Sequence, residues 1–444
     1  MLLTIEKLIY GGDGLARLPA DARGPGKAVF VPFVLEGEQI EASLTEQKPG
    51  FARAEATAII KPSPHRFSPS CPYFGQCGGC HYQHSSYEHQ LEIKKEILRE
   101  TLRRTAKVEL QCEIQVHASP PWHYRNRSRL QLQMQPTFAA GYFKLASHEL
   151  LPVEECPISS PLINRAISVL WQSGRAGKIP DGVQGVEFFA NADDSQLLVE
   201  LSCTAECRRS LVRVWAEQLR AAMPEIVGVV ALRGTKAGVP APQEALVSVG
   251  TSYLTYQIER AAYRVSAGSF FQTNRHLTDE MVKVVTQGRS GDLALDLFAG
   301  VGLFSTALAC DFHHIVSVEA SQPSSADLAY NLSSNGEAIQ ATTEQYLART
   351  VTPRRAGNGT VLPHLPHKPD LAVVDPPRSG LGERVARLLA ELSAPRLTYV
   401  SCDPATLARD LVPLLAAGYR VEQAHLVDLF PQTFHLESVV HLVS

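Results

Sequence analysis

Four apolar runs in the C-terminal third of the chain each end in residues equipped for chemistry. Leu295-Asp296-Leu297-Phe298-Ala299-Gly300-Val301-Gly302 closes on two glycines, and His314 to Glu319 closes on a carboxylate. Asp370 to Asp375 closes on a second carboxylate followed by Pro376-Pro377-Arg378, and Leu397 to Ser401 leads into Cys402. Glycines in such a turn let the backbone approach a ligand while a helix begins at once. Position 305 is serine, so the third glycine of the dinucleotide fingerprint is missing, and the turn alone fits a cofactor site or a structural turn equally. Glu319 favours the ligand, because it lies 17 residues beyond Gly302, where a carboxylate can accept both ribose hydroxyl protons. Cys402, just past a strand end, is a candidate nucleophile. Cys112, Cys203, Cys207 and Cys310 have no such setting and read as small buried hydrophobes.

The other cysteines point to a metal. The chain has nine, an odd number, in 444 residues, too long a sequence to depend on disulfide staples. Cys71-x5-Cys77-x2-Cys80 is followed after 75 residues by Cys156, four thiolates with no obligatory histidine, which suit zinc or an iron–sulfur cluster. Ligand type does not choose between them, although the paired short spacing of zinc ribbons is missing, which tilts toward iron. His81 and His84 read as non-ligands.

A third segment suits nucleic acid. Trp122-His123-Tyr124-Arg125-Asn126-Arg127-Ser128-Arg129 interleaves aromatic and cationic side chains, the combination that stacks unpaired bases and grips phosphates. Trp122, Arg125, Arg127 and Arg129 are the candidate RNA contacts, and the same alternation also describes an ordinary solvated strand face. Residues 61–130 hold 11 Lys+Arg against 6 acidic residues, whereas residues 1–65 hold 7 against 8. With a net charge of −3 overall, the chain is not one that coats nucleic acid indiscriminately.

The elements that must position these residues follow from pattern. At 45 % hydrophobic residues the chain has ordinary globular cores, and its length suggests several domains. No window reaches the 18 or so apolar residues of a membrane span, and Glu6 and Lys7 interrupt any signal-peptide core. A soluble, cytoplasmic monomer is expected, with no membrane partner. Residues 1–61 read as an OB-like β-barrel, with any other small β-domain fitting the pattern equally, and with strands Leu3 to Ile9, Ala28 to Val34, Glu38 to Thr45 and Phe51 to Ile60. Turns at Gly11-Gly12-Asp13-Gly14, Gly24-Pro25-Gly26 and Pro49-Gly50 separate them. Past Lys61-Pro62-Ser63-Pro64, residues 62–262 form an α+β central domain carrying the four cysteines, and its helical region 87–110 could pack on the catalytic domain. Residues 263–444 alternate apolar strands with helix-length segments, the pattern of a doubly wound, Rossmann-like α/β domain whose ligands bind beyond the strand ends.

Three segments in this order resemble the signatures of the RNA uracil-5-methyltransferases, which make 5-methyluridine in tRNA and rRNA from S-adenosylmethionine. They are Asp375-Pro376-Pro377-Arg378-Ser379-Gly380, Tyr399-Val400-Ser401-Cys402-Asp403-Pro404-Ala405-Thr406-Leu407-Ala408-Arg409-Asp410, and Phe430-Pro431-Gln432-Thr433-Phe434-His435-Leu436-Glu437. Phe271-Gln272-Thr273-Asn274 resembles the family's stretch leading into the methyltransferase domain, and the likeness extends over almost the whole chain.

The resemblance implies that Cys402 adds to carbon 6 of uracil, making carbon 5 nucleophilic toward the sulfonium methyl, and that Glu437 then removes the carbon 5 proton. It places cofactor contacts at Gln272, Phe298, Glu319 and Asp375, beside Gly300 and Gly302 of the turn, with Gln345 toward the adenine. Gln272 and Asp375 could instead read the edge of a flipped-out uracil. It implies a 4Fe-4S cluster on Cys71, Cys77, Cys80 and Cys156, and a TRAM-like N-terminal module. A TRAM-like module together with the quartet resembles the 23S rRNA enzymes more than the tRNA ones, with a T-loop uridine in tRNA as the alternative substrate. Two positions depart from the pattern: Leu303 stands where Asn is frequent, and Asp403 stands where Asn is common and places a carboxylate beside the thiol. Two rivals stay open, a non-catalytic RNA-binding relative and a redox iron–sulfur oxidoreductase.

Overall fold

In the computed structural model, residues 1–19, 26–233, 244–351, 354–355, 361–362 and 368–444 are described, and Gly24-Pro25 of the second expected turn lies outside them. The N-terminal strands alternate as a half-buried sheet should. Ala28–Pro32 buries Val29 and Val31, and Gln39–Gln47 buries Ile40 and Ala42. Six strands join in the order Leu2–Thr4, Gln39–Gln47, Phe51–Lys61, Ala28–Pro32, Asp13–Arg17 and Lys7–Leu8. Ile5 N–H donates to Glu38 O (2.9 Å) and Glu6 N–H to Leu15 O (2.8 Å), which ties one edge to the other and closes the barrel. Register shifts between Gln39–Gln47 and Phe51–Lys61 supply the curvature. Asp13–Arg17 is a strand although Gly11-Gly12-Asp13-Gly14 reads as a turn. Gly14 belongs in it for lack of space, since a Cβ there would lie 2.4 Å from Val34 Cγ2.

The central sheet has seven strands, ordered Leu150–Pro152, Ala139–Phe143, Arg127–Gln133, Val183–Ala190, Leu197–Cys203, Ile226–Arg233 and Glu244–Gly250. Helices Pro161–Arg175 and Arg209–Ala222 cover one face through Ile167, Leu170, Trp215 and Leu219. Phe189, Leu198, Val230 and Leu232 on the other face pack with Tyr256, Tyr263 and Phe271, which explains why these strands are apolar on both sides.

The C-terminal sheet has eight strands, ordered Gly336–Gln340, Phe312–Glu319, Gly291–Leu297, Leu371–Val374, Arg396–Ser401, Glu437–Val443, Arg420–Val427 and Ile114–His117. The first five are parallel, and Glu437–Val443 runs antiparallel between Arg396–Ser401 and Arg420–Val427. This is the doubly wound α/β architecture expected. Its outermost strand, Ile114–His117, comes from the region assigned by sequence to the central domain and pairs in parallel with Arg420–Val427. The helix before it, Tyr87–Thr101, starts at a Ser86 cap and widens into a π turn over Leu102–Ala106. Its Ile93, Ile97, Leu98 and Leu102 share one core with Leu407, Leu411 and Leu414 of helix Pro404–Ala416. Each such side chain contributes roughly 1.5–3 kcal/mol on burial. Residues 87–117 are therefore structurally part of the C-terminal body, and the boundary at 262 divides the chain but not the cores.

Candidate active site

The chain winds outward from Gly291–Leu297 in one direction and from Leu371–Val374 in the other, so the crevice beyond these two strands is the topological switch point where ligands of open α/β sheets bind. A cavity of about 730 Å³ opens there. Phe298, Gly300, Glu319, Asp375, Gln272, Cys402 and Glu437 all line it, so seven of the nine expected catalytic and cofactor residues converge. Phe298 adopts a left-handed φ of 64°, an uncommon conformation for an aromatic residue that turns the chain sharply at the strand end. Glu319 accepts hydrogen bonds from Gly300 N–H (2.9 Å) and Ser321 N–H (2.6 Å), fastening the glycine turn to the neighbouring strand.

Two expected residues stand elsewhere. Gly302 is not in the lining; its φ is 92°, and an added Cβ would lie 2.9 Å from Leu328 Cδ1, so it serves the packing of the turn. Gln345 closes a capping box at the start of helix Thr343–Val351: Thr342 N–H donates to Gln345 Oε1 (3.2 Å), and Gln345 N–H to Thr342 Oγ1 (3.1 Å). Thr342 and Thr343 face the cavity instead. Gln345, expected near the adenine, is thus a helix-cap residue outside the cavity lining, a pairing visible in the sequence Thr342-x-x-Gln345.

The cavity is rich in carboxylates held out of water. Burial, then the neighbouring Asp296, lifts Asp375 to about 7. Burial also lifts Asp296 to about 6 against the opposing hydrogen bond from Ser305 Oγ (2.5 Å). Glu437, 4 % exposed, is pushed well above the carboxylate range by burial and by Asp375, with Arg378 pulling the other way. Burial, Glu437 and Asp375 push the half-buried Cys402 thiol up to about 12, again against Arg378. Asp403 has a smaller influence on the thiol. Its Oδ1 caps helix Pro404–Ala416 by accepting from Ala405 N–H and Thr406 N–H (both 2.9 Å), which explains how a carboxylate is accommodated beside the nucleophile. Leu303 is a buried wall residue of the cavity.

Several site residues carry no separate signal in sequence. Arg378 and His435 line the cavity, and the Arg378 Nη2 lies 3.3 Å from His435 Nε2. Tyr10, from the N-terminal barrel, donates its hydroxyl to Cys402 O (3.2 Å) and packs edge-on against Phe434.

Cys71, Cys77, Cys80 and Cys156 line a second cavity, of about 550 Å³, walled by Tyr73, Phe74, Tyr142 and Phe143. Among the described residues no group of three or more His, Cys, Asp or Glu is arranged to hold a metal ion. His81 and His84 are absent from the lining. Of the candidate RNA contacts, Arg125 borders both this cavity and the catalytic one. Arg127 and Arg129 are ion-paired with Glu187, and Arg127 donates to Ser269 O (2.6 Å). Trp122 packs against Cys80, Tyr124 and Ile158. The alternation is real, since Asn126 and Ser128 are buried between the arginines, but Arg127 and Arg129 are ion-paired, Arg125 Nε donates to Arg127 O (2.9 Å), and the indole is partly covered.

Residues 86–444 match the family model described as tRNA (Uracil-5-)-methyltransferase, and residues 1–57 match the TRAM domain. The chain belongs to this methyltransferase family. It is an RNA methyltransferase of the uracil-5 type that uses S-adenosylmethionine. Similar proteins include an uncharacterized RNA methyltransferase of Aquifex aeolicus, 33 % identical over 99 % of this chain and 97 % of the relative. Another, from Streptomyces avermitilis, is 30 % identical over the same shares of both chains. Among solved structures, the Pyrococcus abyssi tRNA (uracil-54, C5)-methyltransferase in complex with S-adenosyl-L-homocysteine shares the fold over both entire chains (TM-score 0.74, 22 % identity). No helix among the described residues is long and apolar enough to cross a membrane.

Proposed function

We propose that the protein methylates carbon 5 of a uridine in 23S rRNA, with Cys402 as the covalent nucleophile and Glu437 as the base. The observation that carries this reading is the convergence of Cys402, Glu437, Asp375 and Arg378 on one cavity that also contains the glycine turn and Glu319. Cys402, after its thiol proton is lost to solvent, would add to carbon 6 as the thiolate and leave an enolate whose carbon 5 would take the methyl group from the sulfonium, releasing the neutral thioether. Glu437 accepts the carbon 5 proton, and the thiolate leaves as the double bond reforms. A buried carboxylate with a raised proton affinity is a stronger base than an exposed one, which suits Glu437 to that proton. The target uridine must leave its stack to reach the thiol, since carbon 5 is inaccessible in a helix.

The rRNA assignment rests on the TRAM domain together with the cysteine quartet. The family description favours a second reading, the same reaction on a tRNA uridine. We assign a 4Fe-4S cluster to Cys71, Cys77, Cys80 and Cys156. All four thiols line one cavity, and four cysteine thiolates are the donor set of such a cluster. The cytoplasm, where the RNA substrate resides, is the proposed location, and the monomer the proposed state.

The test is incubation with methyl-labelled S-adenosylmethionine and separated rRNA or tRNA. Cys402→Ser is expected to abolish label in 5-methyluridine while cofactor binding survives. Glu437→Gln is expected to accumulate a denaturant-resistant protein–RNA adduct. Turnover by the serine variant would remove the nucleophile assignment, and label in tRNA alone would move the substrate to the second reading.

A further inference from the structure

We propose that the cysteine-bearing segment is the positioning device for Glu437, clamping the loop that aims its carboxylate, so that loss of the bound cluster is felt at elimination rather than at RNA binding. The inference rests on the catalytic reading above. Residues 428–436, between strands Arg420–Val427 and Glu437–Val443, belong to no strand or helix. A segment without a ladder of its own takes its conformation from its surroundings.

Lys94, Asn274 and His117 hold its first residues, 428–430, and the cysteine segment with the residues packed on it holds residues 431–434. Gln432 O accepts from the N–H groups of His81 (2.8 Å) and Tyr82 (2.9 Å), the two residues that follow Cys80. Gln432 is buried with a left-handed φ of 68°, a conformation that is strained for a non-glycine residue and persists only where the neighbours over-determine it. Gln90 supplies a two-point lock: its Oε1 accepts from Gln432 N–H and its Nε2 donates to Gln432 Oε1, both at 3.0 Å. One residue earlier, Pro431 O accepts from the hydroxyl of Tyr124 (2.9 Å), and Tyr124 packs in the small cluster that contains Cys80, Cys156 and Ile158. The ring of His81 lies edge-on to Phe434, centroids 4.6 Å apart.

Two cluster-lining cysteines therefore touch the base-bearing loop through one intervening layer each. The run from Cys71 to His84 has no regular secondary structure, and its cysteine-bearing part, up to Cys80, lies on a small apolar cluster, whereas Tyr82 is seated in the main core. A group shared by four thiols would fix Cys80 and, through it, the two N–H groups that hold Gln432. Without it the Cys80–His81 side of the clamp loses that fixed point, while Tyr82 and Gln90 keep theirs.

The experiment compares wild type, Tyr124→Phe, Gln90→Ala, Cys77→Ala and Glu437→Gln in steady-state turnover with the RNA substrate. It reads the fraction of RNA in denaturant-resistant adduct, the RNA Kd and the visible absorption of anaerobically prepared protein. Tyr124→Phe and Gln90→Ala are expected to keep the absorption and the Kd while adduct rises about five-fold, the effect of one neutral hydrogen bond. Cys77→Ala is expected to lose the absorption and show the same rise. Tyr124→Phe keeps its ring in place and carries the test if Gln90→Ala fails to fold. A Cys77→Ala protein with weakened RNA binding and wild-type adduct overturns the clamp, as do clamp variants with unchanged adduct while Glu437→Gln still traps it. A Glu437→Gln protein that traps nothing overturns the catalytic reading itself.

Discussion

The site is built to be completed by a cation. Glu319, Asp375 and Glu437 line one crevice, Asp296 is buried outside its lining, and each has its proton affinity raised first of all by burial. The same environment keeps the Cys402 thiol protonated at neutral pH. A sulfonium in the crevice would offset all of these at once, because an opposite charge nearby favours every ionised form. Linkage then gives a direction: a thiol held high gains thiolate as pH rises, and a bound cation moves that gain to lower pH. Iodoacetamide alkylation of Cys402 is expected to accelerate about tenfold per pH unit between pH 7 and 9, as for any thiol well below its pKa. A cationic adenosylmethionine analogue should shift the curve to lower pH, and neutral S-adenosylhomocysteine should not. Identical curves with both ligands would refute an electrostatic link. At this scale the sequence was most informative where chemistry demands a residue type next to a strand end, as at Cys402, Asp375 and Glu319. It was least informative where one residue type serves two purposes. Gln345 has the right type for an adenine contact but is used to cap a helix, and Arg127 has the right charge for RNA but is paired with Glu187.

Between elements, the strongest tie runs through a fully buried ion pair. Lys94, on helix Tyr87–Thr101, donates to Asp428 Oδ1 (2.6 Å) and Phe430 O (2.9 Å), joining that helix to the start of the catalytic loop. Burial pulls the lysine's proton affinity down, and Asp428 opposes that by favouring the ammonium. Removing one member leaves the other charge uncompensated, at a cost of about 3–5 kcal/mol, whereas replacing both by neutral groups of similar size is far milder. Lys94→Met should therefore lower the thermal midpoint strongly, and Lys94→Met with Asp428→Asn should recover most of it. A single variant as stable as wild type would show that the pair does not hold the loop. This tie also explains what pattern reading could not see. The amphipathic spacing of Ile93, Ile97 and Leu98 shows that the helix has an apolar face, not which core that face enters. Ile114–His117 is a four-residue strand at a sheet edge whose partner lies some 300 residues away in sequence, and no local property specifies that pairing.

For the molecule as a whole, the question is what the N-terminal barrel does. Its sequence pattern made a small barrel legible, and its lack of positive charge argued against a simple RNA grip. The structure supplies a different relation. The barrel reaches the catalytic domain through Lys7, ion-paired with Glu100, and through Tyr10, whose hydroxyl donates to the carbonyl of Cys402 and whose ring supports Phe434, next to His435 in the cavity wall. A tyrosine in a glycine-flanked turn announces nothing in sequence, because its partner belongs to another domain. If the barrel steadies the nucleophile, Tyr10→Phe, which keeps the ring and deletes the hydrogen bond, should slow adduct formation in a single turnover about three- to ten-fold, corresponding to one hydrogen bond. RNA affinity should be unchanged. If the barrel acted only by gripping RNA, the same change would leave the single-turnover rate at saturating RNA untouched. Rapid-quench measurement of the adduct at saturating RNA separates the two, and an unaltered rate would return the barrel to a role in substrate binding alone.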